Sequence, residues 1–174
     1  VGTRIHSVAY RNAAPFAGQR VLVVGSGNTG AEIALDLCEH DAQVWMSVRS
    51  PVHVVARDPF GIPAQVHGLA LSHLPTWVPD QMGRFAQWMQ YGDLGRYGLT
   101  PSKTGAATRL LRDGKVALID VGTMQMIKEG RIHVVPGIQT FSPSGVALTD
   151  GVELELDAVI LATGYRAGIE EVFE

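Results

Sequence analysis

Residues 21–49, VLVVGSGNTGAEIALDLCEHDAQVWMSVR, leave this chain few ways to fold. Val21 to Val24 is an apolar, valine-rich run without polar alternation, which suits a strand buried on both faces. Gly25, Gly27 and Gly30 follow at once in the spacing GxGxxG. Ala31, Ile33, Ala34, Leu35 and Leu37 then recur with helical spacing, and Gln43 to Val48 returns to strand character. Strand, glycine turn, helix and strand in this order make a βαβ unit. In such a unit Gly25 allows the tight turn, Gly27 lets a pyrophosphate approach the backbone, and Gly30 lets the helix pack close to its strand. The unpaired N–H groups at the helix start face the phosphates, helped by the helix dipole. A lone GxGxxG is weak, but this one sits in the context the motif requires, so a dinucleotide site is expected. The alternative is a glycine turn that only packs.

The end of the second strand bears on which dinucleotide. An NAD site places Asp or Glu about twenty residues past the glycines, on the ribose 2′-hydroxyl. Here the chain reads Ser47, Val48, Arg49, Ser50. An arginine fork with flanking hydroxyls suits a dianionic 2′-phosphate with several acceptor oxygens. NADP(H) is therefore expected, with Arg49 and Ser50 as its ligands; a solvated arginine ending a strand is the alternative.

Composition narrows the class. The 174 residues could hold one α/β domain with a full core, and 46% apolar against 18% charged residues is a globular balance. The net charge is −3 and no basic run could track a phosphate backbone, which argues against nucleic acid. Cys38 is the only cysteine, so an intrachain disulfide and a cysteine-based metal cage are excluded. It is expected to behave as a buried small hydrophobe. No apolar stretch approaches the length of a membrane span and no signal peptide is visible, which makes a cytoplasmic protein the default expectation. The chain begins at Val1 rather than Met and stops at Glu174 soon after a strand, so both ends read as cut.

Residues 1–20 read as an ordered connection into the βαβ unit, with His6 and Tyr10 as its notable polar aromatics. Between 51 and 115, Pro51, Pro59, Pro63, Pro75, Pro79 and Pro101 argue against long uninterrupted elements. One helix is expected, Asp80 to Tyr91, with Met82, Phe85, Ala86 and Met89 on one face, widened by Trp88 and Tyr91. That stripe is read as core, the alternative being a patch that another domain covers. His53, His67 and His73 lack ligand spacing and neighbouring carboxylates, so no metal site is expected. From residue 116 strand character returns at Val116–Ile119 and Ile132–Val135. Val146–Thr149 and Val152–Leu156 flank Asp150-Gly151, a hairpin signal. Ala158–Ala162 is a further buried strand ending in Thr163, Gly164 and Tyr165. Ligands of parallel sheets sit beyond the carboxyl ends of strands, so Gly164 and Gly27 are expected to border one crevice.

These motifs together resemble a known family. Gly2, His6 and Tyr10 are similar to the tail of the fingerprint of flavin-containing monooxygenases, whose leading Phe would lie upstream of Val1. GSGNTG at 25–30, VRSPVHVV at 48–55 and LATGY at 161–165 resemble that family in order and spacing. GDLGRYGL at 92–99, LIDVGTMQMIKEGRIHVVPGI at 118–138 and DAVILATGYRAG at 157–168 look most like its YUCCA-like branch and bacterial relatives. The resemblance implies FAD bound through a separate N-terminal GxGxxG, reduced by NADPH, and an oxygen atom passed from O2 to a small-molecule substrate. This chain carries one GxGxxG, which resembles the second, NADPH-binding one. Gly25, Ser26, Gly27, Asn28, Thr29 and Gly30 would cradle the pyrophosphate, and Arg49 with Ser50 would take the 2′-phosphate. Thr163, Gly164 and Tyr165 would lie at the hinge between domains, near both cofactors. No residue reads as a catalytic acid, base or nucleophile, which fits chemistry carried by a flavin. Asp120, in the family-like run, is read as a capping or structural carboxylate.

The expected architecture is thus α/β: a Rossmann-like NADPH-binding domain with a central parallel sheet, flanking helices and a small antiparallel β-hairpin element. Residues 1–20 would link it to a missing FAD domain, 21–156 would form it with a helical insertion at about 51–115, and 157–174 would return to the FAD domain. The substrate would be an amine, a thioether or a 2-oxo acid such as indole-3-pyruvate. Competing readings are a disulfide-reductase-like flavoprotein, for which Cys38 alone supplies no CxxC pair, and a stand-alone NADP(H)-binding module.

Overall fold

Val21, Leu22 and Val23 are fully buried because the two faces of their strand meet different partners. A computed structural model describes residues 2–114 and 116–164; Tyr165 lies outside the described residues. In chain order the elements are β1 (Thr3–His6), β2 (Arg20–Val24), α1 (Asn28–Glu39), β3 (Gln43–Ser47), β4 (Val54–Ala56), α2 (Ala64–Leu71) and α3 (Trp77–Tyr91). They continue with α4 (Ala106–Asp113), β5 (Leu118–Asp120), α5 (Thr123–Lys128), β6 (Ile132–Val135), β7 (Ile138–Phe141), β8 (Gly145–Leu148), β9 (Glu153–Glu155) and β10 (Ala158–Leu161). The central sheet has the order β1-β10-β2-β3-β6, with all neighbours parallel. Thr3–His6, within the expected connection, is its edge strand. β4 and β5 form a separate parallel pair, and β7-β8-β9 form a three-stranded antiparallel sheet.

Alternation sorts the core. Val21, Val23, Val44, Met46, Ala158 and Ile160 join α1 and α5 through Ile33, Ala34, Leu37, Met124 and Ile127. Leu22 and Val159, from the same strands, point the other way and pack under Val146, Leu148 and Leu156. A helical layer thus covers one face and the small antiparallel sheet the other. Burying each such Leu, Ile or Val contributes roughly 1.5–3 kcal/mol. The Asp150-Gly151 turn behaves as its sequence suggests: Gly151 takes a φ of 87°, and Val152 N–H donates to Asp150 Oδ1 at 3.1 Å. Arg20 fixes β10 beside β2, giving Asp157 two guanidinium hydrogen bonds at 3.0 and 3.2 Å and its own backbone N–H at 2.8 Å. These contacts hold the Asp157 carboxyl down at about 2. Cys38 is buried, with its thiol donating towards the Arg131 carbonyl at 3.8 Å; burial pushes its pKa up.

The insertion departs from expectation in three ways. It holds α2 and α4 besides the one helix expected. α3 runs for 15 residues and starts at Trp77, because Pro79 sits in the first turn, where its missing N–H has no partner to lose. Its apolar stripe is not core. Met82, Phe85, Trp88 and Met89 are 52–62% exposed, and of the predicted face only Tyr91 is buried. The reason is that α3 attaches through its other side: Gln87 Oε1 accepts from Val54 N–H at 2.8 Å, and Asp80 reaches α4. Helical periodicity identifies an apolar face but not what it faces. Phe85→Gln should therefore change stability by less than about 1 kcal/mol in urea denaturation, against roughly 2–5 kcal/mol for the buried Leu37→Ala. A loss at Phe85 as large as at Leu37 would contradict the exposed placement.

Candidate functional site

The carboxyl ends of β2, β3 and β10 open onto one cleft of about 730 Å³. It collects Gly25, Ser26, Gly27, Asn28 and Thr29 from the glycine turn, Arg49 and Ser50 from the end of β3, and Thr163 and Gly164 from the end of β10. Gly27 and Gly164 do border the same crevice. Register explains it: Val24 and Leu161 are paired, so the turns that follow them are neighbours.

The three motif glycines have three different surroundings. A Cβ on Gly25 would lie 2.3 Å from the Ala162 carbonyl oxygen, and its φ of +120° excludes other residues besides. A Cβ on Gly30 would lie 2.2 Å from the Gly25 carbonyl oxygen, so Gly30 is packed beneath the turn rather than lining the cleft. A Cβ on Gly27 would meet nothing within 4 Å. Gly25 and Gly30 serve packing, while Gly27 faces open space where a ligand can touch backbone. α1 starts immediately after it, and no side chain caps that end. The first N–H groups of a helix have no intrahelical partner, so they are available to an anion with the dipole behind them. Asn28 is partly committed, because its Oδ1 accepts from Ile119 N–H at 2.8 Å and ties β5 to the helix start.

Charge in the cleft has one sign. Arg49 and Arg109 line it, and no Asp or Glu does so among the described residues. The stem of Arg49 is backed by the loop after β6: a Cβ on Gly137 would sit 3.3 Å from Arg49 Cβ. Ser47 Oγ donates to the Pro136 carbonyl at 2.9 Å and holds that loop over the end of β3. His53 also lines the cleft, but its Nε2 must donate, since its partner is the Thr104 carbonyl oxygen. Arg109, His53 and Gly137 were not singled out as site residues from sequence. Gly137 lies inside the family-like VVPGI run, which was its available signal; Arg109 had none.

Other residues of note in the sequence lie elsewhere. Tyr10 donates its hydroxyl to Asp36 of α1 and stacks on Phe16 at 5.9 Å. Burial first, and then Asp36, raise its pKa, so it is a neutral anchor. His6 Nδ1 accepts from Val8 N–H at 3.3 Å. Asp120 is the structural carboxylate expected of it: Oδ1 accepts from Gly122 and Met124 N–H, both at 3.0 Å, and Oδ2 from Tyr91 at 3.0 Å.

With the geometry in view, comparison with known proteins decides the family. Residues 1–170 match the flavin-binding monooxygenase-like family. The chain belongs to that family. An indole-3-pyruvate monooxygenase of Oryza sativa subsp. indica, YUCCA8, is 45% identical over 172 residues, covering 97% of this chain and 40% of that relative. The chain therefore spans well under half the length of the curated relatives it matches. A solved cyclohexanone monooxygenase with ε-caprolactone bound shares the fold at a TM-score of 0.68, with 18% identity over 95% of this chain and 44% of its own. A flavin monooxygenase from Stenotrophomonas maltophilia, solved as a Q193R H194T mutant, does so at 0.59, with 23% identity over 98% of this chain and 38% of its own.

Proposed function

We propose that this chain is the NADPH-binding portion of an FAD-dependent monooxygenase, which uses NADPH and O2 to oxygenate a small organic molecule. The observation that carries the reading is a cleft with Gly27 open to ligand at an uncapped helix start, two arginines, and no lining carboxylate among the described residues. A dinucleotide with a 2′-phosphate fits that donor set. Its pyrophosphate would lie on the Gly25–Thr29 turn and the first N–H groups of α1, and Arg49 with Ser50 would hold its 2′-phosphate. When bound, NADPH supplies the hydride and the flavin supplies electrons to O2. The residues of this chain bind and orient. The 45%-identical relative named for indole-3-pyruvate favours a 2-oxo acid as substrate over an amine or thioether.

The test is nucleotide preference. Wild type should bind NADPH more tightly than NADH. Arg49→Ala should lose a charge-assisted phosphate contact, roughly 1.5–3 kcal/mol or about ten- to a hundredfold, for NADPH alone. Equal affinity of the wild type for both nucleotides would sink this assignment.

A further inference from the structure

The cleft holds a second guanidinium that the glycine turn and the end of β3 do not explain. Arg109 projects from α4, half-buried, and donates from Nη1 to the Pro51 carbonyl at 3.1 Å. Pro51 directly follows Arg49 and Ser50, so Arg109 is tied to the ribose end of the cleft rather than to the glycine turn. The arginines in ion pairs among the described residues are Arg20, Arg57 and Arg112. Neither Arg49 nor Arg109 is in one. Two cations lining one cleft without a carboxylate repel each other, and a dianion between them converts that repulsion into attraction.

The helix that carries Arg109 is pinned. Asp80 of α3 accepts at Oδ1 from Ala107 N–H at 2.9 Å and Thr108 N–H at 3.2 Å, and at Oδ2 from the Thr108 hydroxyl. This is an N-cap supplied from another helix. Gly105 makes room for it, since a Cβ there would lie 1.9 Å from Asp80 Cγ. On the opposite side of Gly105, His53 Nε2 and Ser102 Oγ both donate to the Thr104 carbonyl. Arg109 follows one turn on, with its stem fixed relative to Pro51. A guanidinium has five N–H donors, and the bond to Pro51 uses only one of them.

We infer that Arg109 is a second ligand of the nucleotide 2′-phosphate, acting with Arg49, and so a determinant of the choice between NADPH and NADH. This rests on the NADPH reading of the cleft and adds a residue to it. A phosphate with three terminal oxygens can accept from both forks, and only a nucleotide that carries it gains from the second.

The experiment titrates wild type, Arg49→Gln, Arg109→Gln and Arg109→Lys with NADPH and with NADH at one fixed salt concentration, with circular dichroism on each variant. Arg109→Gln should weaken NADPH by about tenfold and NADH by less than about twofold. Arg109→Lys keeps the charge but loses the fork, and should fall between Gln and wild type. An unchanged NADPH affinity in Arg109→Gln, or equal weakening of both nucleotides, overturns the assignment. If the Gln variant loses its native spectrum, an unchanged NADPH to NADH ratio in the Lys variant overturns it instead. Loss of preference in Arg49→Gln with full preference in Arg109→Gln removes Arg109 alone. A wild type without preference removes the NADPH reading and this inference together.

Discussion

Gly27→Val should keep the fold and lose NADPH by more than about a hundredfold, or about 2.7 kcal/mol. The fold should survive because Gly27 has a φ of −76° and a ψ of 175°, ordinary extended backbone that any L residue adopts. A Cβ there meets no protein atom within 4 Å. The same open space is where a pyrophosphate must reach the backbone, and a branched side chain fills it. Gly30→Val makes the contrast. Its Cβ would be 2.2 Å from the Gly25 carbonyl oxygen, a backbone atom that cannot swing aside as a side chain tip could. That variant should lose several kcal/mol of stability, near the whole margin of a small domain, and its near-ultraviolet circular dichroism with it. Titration of the folded Gly27→Val protein decides the site. Normal NADPH binding with a native spectrum would remove the glycine turn as the pyrophosphate cradle.

That contrast also marks how far the sequence could be read. The GxGxxG spacing announced both the βαβ unit and the crowded positions of Gly25 and Gly30, because tight turns and close approaches leave few residue choices. The same holds for Asp150-Gly151 and for the return strand at Ala158–Leu161, where local signals and the final structure agree. What stayed hidden depends on contacts across the chain. The α3 stripe of Phe85, Trp88 and Met89 has the period of a core face, yet the helix is held through Gln87 and Asp80 on its other side. Arg109 stands in a segment without a motif. Its helix is capped by Asp80, 29 positions earlier in the chain, and its guanidinium is held by the Pro51 carbonyl. A side chain held by tertiary contacts leaves no spacing to find.

The 174-residue chain, purified alone, should bind NADPH, stay colourless and oxidise no NADPH even when FAD is added. Two dinucleotide cofactors need two phosphate cradles, and the turn before α1 is the one proposed for NADPH, with Arg49 on its 2′-phosphate. A second strand, glycine and helix do occur, from β5 through Gly122 into α5. That start is already occupied by protein, since Asp120 Oδ1 accepts from the Gly122 and Met124 N–H groups that an anion would need. α5 is also only six residues long, which leaves little dipole to offer. Thr163 and Gly164 can touch a flavin from the cleft rim, but no described helix starts from them. Flavin and turnover should therefore appear together only when the chain is joined to an FAD-binding portion carrying its own glycine turn. The product should be a yellow protein that consumes NADPH and O2. An absorbance scan for flavin, followed by NADPH oxidation with and without added FAD, measures this directly. Stoichiometric flavin and turnover from the 174 residues alone would mean that a second pyrophosphate site exists away from both glycine turns, and the division of labour proposed here would be wrong.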